Sequence, residues 1–206
     1  MDIETLSQKF QAYSGLVLVF FIAVHLAGII FAGINPDSFE IYASTLHSSI
    51  FLPFFEIILT TLFVIHIFLT FKKVLKNRSS GNKATLKTRR NDYIGVLASK
   101  IQPFTGLILA SFLIIHLLQL RFNRPDDNLE LISLKNKLEA VHILVLYSLA
   151  SISLSFHMVQ GVESGHRSLG ILSRSNSLNI RYIGRLISVI FGLSYLIMTF
   201  YLRFNS

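Results

Sequence analysis

At 206 residues and 23.3 kDa the chain has the length of one ordinary domain, but 52% of it is apolar against 15% charged, with a mean hydropathy of +0.58. That balance excludes an ordinary soluble fold. The absence of cysteine excludes disulfides, thiolate zinc, cysteine-held iron–sulfur clusters and covalently attached c-type haem, and in a membrane chain the net charge of +8 is read from the loops that carry it, so no nucleic-acid partner is expected.

Crossing a hydrocarbon core of about 30 Å takes roughly 20 helical residues. Five apolar stretches are long enough, near 11–33, 50–72, 101–120, 140–161 and 182–203. They predict an all-α membrane protein folded as one domain, 1–206. The first stretch follows an acidic Met1-Asp2-Ile3-Glu4 start with no basic run and is too long for a signal-peptide core, so it is expected to be retained.

The 19 Lys and Arg divide as one before the first span, none in the first gap, nine in the second, then four, four and one at Arg203. Alternate sides therefore carry 14 and 5, which predicts an N-terminus inside and a C-terminus outside. The basic run from Lys72 to Lys100, with Arg89 and Arg90, is then the longest inside loop. It reads as a positive-inside signal or as a docking surface for a protein partner or anionic membrane lipid. The outside connection from Arg121 to Glu139, with Arg124-Pro125-Asp126-Asp127, is expected to add a loop or a short surface helix.

Compared with itself at an offset of 91 residues, the chain repeats. Lys9, Gln11, Gly15, Leu16, Leu18, Phe21, His25 and Leu26 return as Lys100, Gln102, Gly106, Leu107, Leu109, Phe112, His116 and Leu117, while Tyr13-Ser14 returns as Phe104-Thr105 and His66 as His157. The first two spans are thus a unit repeated by the third and fourth, with the fifth appended at the periphery. Both units enter from the same side, so the pseudo-twofold axis of the four-helix bundle runs along the membrane normal. Equivalent residues then share a depth, pairing His25 with His116 and His66 with His157. The helical rise of 1.5 Å per residue agrees, placing the two pairs roughly 12 to 15 Å apart along the normal.

An imidazole in hydrocarbon needs a partner. One such histidine is explained by packing; four, one per helix and matched in depth, are not. Zinc takes three or four protein ligands in one place, and each level offers two. A haem needs only two axial ligands, so the spacing predicts two six-coordinate b-type haems stacked along the normal, with electron transfer as their use. Gly15 and Gly106, ten residues before His25 and His116, and Gly28 and Gly161, near His25 and His157, suit either a flat macrocycle or close helix packing. Lys100 and Arg185 are candidates for haem propionates on the inside, or snorkelling anchors. His47, His142 and His166 fall outside the repeat and read as interfacial histidines; His47, Glu56 and His142 near the outer face could instead handle protons beside a quinone.

Five helices, a histidine in each of the first four, and the segment His157-Met158-Val159-Gln160-Gly161-Val162-Glu163-Ser164 leading to Leu169-Gly170 resemble the dihaem cytochrome b subunit of succinate dehydrogenase and fumarate reductase, the b558 type. The resemblance covers nearly the whole chain. It implies that His25 and His116 ligate a distal haem and His66 and His157 a proximal one. It also implies a bacterial cytoplasmic membrane, cytoplasmic flavoprotein and iron–sulfur subunits, and a quinone substrate, generally menaquinone, near the distal haem. One branch of that family places a carboxylate in the fourth helix just before its ligand. Here Ser155 and Phe156 stand there, which argues against that proton path. Three other readings share the composition: the membrane cytochrome of a nitrate reductase, hydrogenase or formate dehydrogenase; a transporter or proton channel with a histidine relay; and a passive anchor whose histidines only pack.

Overall fold

The structure, a computed structural model, describes residues 3–79, 92–125 and 129–205. Met1, Asp2, Asp126, Asp127 and the stretch 80–91 with Arg89 and Arg90, on which part of the charge and loop reading rests, lie outside the described residues. Among the described residues there are seven α-helices and no strand: α1 (Ile3–Ile34), α2 (Pro36–Ser48), α3 (Leu52–Ser79), α4 (Tyr93–His116), α5 (Glu130–Leu138), α6 (Val141–Ser168) and α7 (Ser177–Phe204). Five of them, α1, α3, α4, α6 and α7, are long and apolar enough to cross a membrane. The chain is an all-α, multi-pass membrane protein.

Its surface agrees with that solvent. Phe20, Phe54, Phe68, Leu107 and Ile197 project from the spanning helices and are 62 to 70% exposed. Large contiguous apolar patches are rare on soluble monomers, whereas hydrocarbon accepts them and forbids open backbone.

The apolar windows give the far ends of the spans within two residues, the fourth counted to Arg121, but miss the ends on the N-terminal side, where all five spanning helices run on into polar sequence. A helix stops at a cap, not where its side chains turn polar. Asp92 caps α4 by accepting from Gly95 N at 3.0 Å. After α6, Gly170 at φ +75° closes a Schellman turn, with Ile171 N donating to His166 O at 2.9 Å and Gly170 N to Arg167 O at 3.1 Å. At the far end of α1, Asn35 accepts from Ser38 N at 3.1 Å with Pro36 in the first turn, and this starts α2. After His116 the fourth span widens into one π-helical turn over 117–121, with Phe122 N bonded to Leu117 O at 2.9 Å.

The connection before α6 is more than a surface element. Leu131, Leu134 and Leu138 on one face of α5 are buried with Ala32, Ile143, Tyr147 and Leu202, forming a core that plugs the far end of the bundle. Glu40 of α2 caps α5, accepting from Glu130 N at 3.1 Å and Leu131 N at 2.7 Å. In the spanning region α3 packs on α1, α4 on α6 and α1 on α6, while α7 lies along α6 and α1. The α6–α7 seam is close because Gly184 faces Val162 and Gly192 faces Ser151 and Ser155.

Candidate functional site

The structure brings together one histidine from each of the four repeated helices. His25 of α1 and His116 of α4 have ring centres 6.0 Å apart with planes at 86°, and His66 of α3 and His157 of α6 have centres 6.5 Å apart with planes at 64°. All four rings are half-buried.

The pair nearer the N-terminal side is seated by the neighbouring helix in the same way twice. Ser14 Oγ lies 3.2 Å from His66 Nδ1 and 3.1 Å from the carbonyl oxygen of Gln11. Thr105 Oγ1, 91 positions on, lies 3.4 Å from His157 Nδ1 and 3.0 Å from the carbonyl oxygen of Gln102. Glycine follows each hydroxyl because the ring leaves no room: a Cβ at Gly15 would stand 3.2 Å from His66 Cε1, and one at Gly106 3.3 Å from His157 Cε1. Of the two uses expected for these glycines, a macrocycle at His25 and His116 ten residues on or close helix packing, the second is the one seen. Ten residues of helix span about 15 Å. The glycines serve the partner helix's histidine instead.

The far-side pair is held differently. His116 Nδ1 lies 2.9 Å from Tyr147 OH on α6, and Phe112 packs edge-on against Tyr147 at 4.8 Å. His25 stacks between Phe21 at 5.7 Å and Tyr195 at 6.4 Å. Tyr195 comes from α7, the helix without a repeat counterpart, and its hydroxyl donates to Ile22 O at 2.8 Å. Neither tyrosine was singled out from sequence, although a phenol inside an apolar span has the same need for a partner as the histidines. Beside the two levels, a Cβ at Gly28 or Gly161 would meet no atom within 4 Å, so close helix packing does not require either glycine.

Charged groups collect at the two ends. On the N-terminal side Arg185 makes two contacts to the Asp92 carboxylate at 2.6 and 2.7 Å, while Lys100 is exposed. Glu163, 3% exposed, accepts from Arg167 at 2.9 Å and lies 3.3 Å from Arg181 Nε. His166 donates to Val162 O at 2.7 Å.

On the far side Glu56 and Arg121 form a two-point ion pair, and Arg124 Nε donates to Glu130 at 2.9 Å. His47 Nδ1 is 3.2 Å from the same Glu130 oxygen without hydrogen-bond alignment. Burial holds the His47 ring below its ordinary 6.5, helped by Arg124 and Arg121 and opposed by Glu130 and Glu56. His47 and Glu56 therefore share one charged network, whereas His142, at the start of α6, is exposed. An open groove on α3 includes Ile57, Thr60, Thr61 and Val64. At about 100° per residue these positions face away from His66, so the groove is not part of the histidine ladder.

Among the described residues no three His, Asp or Glu side chains gather as ligands for a bare metal ion. What the bundle offers is two imidazoles at each of two levels, set among apolar side chains between two charged ends. That arrangement suits a centre that takes two protein nitrogens and brings its remaining ligands with it. No family model, curated protein or solved structure matches the chain.

Proposed function

We propose that this chain is the dihaem cytochrome b anchor of a succinate:quinone oxidoreductase, carrying electrons between an iron–sulfur subunit and a membrane quinone. The observation that carries the reading is the pair of ring separations, 6.0 and 6.5 Å. Two imidazoles that held one metal ion between them, each with a bond of about 2 Å and about 1 Å from nitrogen to ring centre, would have their ring centres roughly 6 Å apart. Edge-to-face ring contact covers 4.5 to 7 Å and includes the same distance. The weight comes from its recurrence at two levels within the repeat.

His25 and His116 would hold the distal haem, His66 and His157 the proximal one. Bound there, each haem would supply a one-electron couple. The chain's own part is to fix the imidazoles, exclude water with the surrounding apolar side chains, and keep charge at the ends. Gly28 and Gly161 leave the helix surface flat beside a ligand. Arg185, with Asp92 already on its guanidinium, is a weaker candidate for a propionate than the sequence suggests. On the far side His47, neutral near pH 7, is a base that can take a proton released by a quinol, with Glu56 and Glu130 beside it. The resemblance supports placement in a bacterial cytoplasmic membrane, N-terminus inside, with flavoprotein and iron–sulfur subunits on that side.

The test is the haem content and reduced-minus-oxidised spectrum of the detergent-extracted complex, with succinate as reductant. Two b haems per chain, at least one reduced by succinate, is the expected result. A colourless preparation ends the cytochrome reading, and a molybdenum or nickel partner ends the succinate assignment.

A further inference from the structure

A serine or threonine hydroxyl carries a single hydrogen. Ser14 Oγ stands 3.1 Å from Gln11 O, and Thr105 Oγ1 stands 3.0 Å from Gln102 O, each within its own helix. Each helix-internal contact is a hydrogen bond in which the hydroxyl donates to the carbonyl. At the second contact, to His66 Nδ1 at 3.2 Å and to His157 Nδ1 at 3.4 Å, the hydroxyl oxygen can then only accept. That contact is a hydrogen bond when Nδ1 carries the one hydrogen of the neutral imidazole. The lone pair is left on Nε2. Ser14 and Thr105 are 3% and 5% exposed, so water does not compete for either contact. Gly15 and Gly106 let the rings come this close.

We propose that Ser14 and Thr105 are positioning residues that fix the Nδ1–H tautomer of His66 and His157, so that both rings present a bare Nε2 to one centre between α3 and α6. The tautomer rests on the hydroxyls donating within their own helices; its consequence for a haem rests on the function proposed above. A ligand whose far nitrogen donates to an oxygen is a more basic ligand. Each hydroxyl thus favours the oxidised centre at this level and leaves the far-side level untouched.

The test compares the purified wild-type complex with Ser14→Ala, Thr105→Val and the hydroxyl-keeping pair Ser14→Thr and Thr105→Ser. Nitrogen-15 spectra of histidine-labelled protein in its reduced state read the tautomer, and a redox titration reads the two midpoint potentials separately. The expected result is a protonated Nδ1 on His66 and His157 in the wild type. One potential alone rises in the alanine and valine variants, by up to tenfold in the oxidised-to-reduced ratio, and the hydroxyl-keeping variants restore it. A protonated Nε2 in the wild type overturns the proposal whatever the pigment. Two haems with both potentials unmoved by Ala and Val overturn it while leaving the cytochrome reading intact. A wild type with no haem but with Nδ1 protonated sinks the function and keeps the tautomer.

Discussion

Tyr147 OH lies 2.9 Å from His116 Nδ1, and the position 91 residues before Tyr147 is Glu56, which is bound to Arg121 and not to a histidine. The repeat is broken at this point. His116 has a hydrogen-bonded far nitrogen, whereas its partner His25 is held by the stacked rings of Phe21 and Tyr195. The two levels are therefore chemically distinct even though their histidines are equivalent.

Tyr147→Phe removes the oxygen and keeps the ring. If His116 is a haem ligand its Nδ1 must be the donor in this contact, and losing the acceptor makes the imidazole less basic. The far-side potential is expected to rise by up to about 59 mV, tenfold in the one-electron ratio, with the other level unchanged. A redox titration of the variant that superimposes on the wild type would show that the phenol only packs.

Removing either member of a pair should cost the whole centre. His66→Ala, His157→Ala and the double variant are each expected to retain one haem per chain, as are His25→Ala, His116→Ala and their double. Non-additivity of this kind separates partners at one site from four independent histidines. Haem extracted per mole of chain measures it. Loss in the doubles that is the sum of partial losses in the singles would argue for histidines that act independently.

The repeat offset, the four histidines and the five spans are legible in the sequence because each has a period: hydropathy over about 20 residues, or identity at 91. Which residues meet across helices is hidden. The seat of His66 is made by Gln11, Ser14 and Gly15 on another helix, and no spacing along the chain links residue 14 to residue 66. Tyr195 is invisible for the same reason, lying on the one spanning helix that the repeat does not copy. By contrast α2 could have been read locally, since Asn35-Pro36-Asp37 is a capping residue followed by proline and an acid in the first turn. The buried face of α5 was also available as leucines at 131, 134 and 138, a helical stripe within a segment otherwise rich in charge.

Gly192 at the α6–α7 seam and Gly161 away from any contact predict opposite outcomes on substitution. At Gly192 a Cβ would fall 2.6 Å from Ser155 Cβ and 3.0 Å from the backbone oxygen of Ser151, so helix α7 must move outward. Overpacking of this kind costs about 1 to 3 kcal/mol, against up to about 1 kcal/mol regained in helix propensity. Gly192→Ala is expected to lower the thermal midpoint in detergent. Gly161→Ala, with no atom within 4 Å, is expected to leave it unchanged or raise it, while reducing haem content. Equal midpoints for the two variants would contradict the close contact at Gly192.

His47 links the far-side network to pH. Its pKa in the fold lies below the 6.5 of the unfolded chain because it is partly buried and because Arg124 and Arg121 repel a second cation, with Glu130 and Glu56 attracting it less strongly. Above pH 6.5 the ring is neutral in both states and costs nothing. As pH falls below 6.5 the unfolded ring takes a proton that the folded one resists, so stability declines across the window down to the lowered folded value and is constant below it. The decline acts on the contact between α2 and α5 that Glu40 completes by capping Glu130 and Leu131. Hydrogen exchange at those two amides is expected to speed up between pH 7 and pH 5.5, after correction for the intrinsic pH dependence of exchange. His47→Gln keeps a polar side chain without a titrating ring and should flatten the response. An equal acid response in the glutamine variant would place the sensing group elsewhere in the chain.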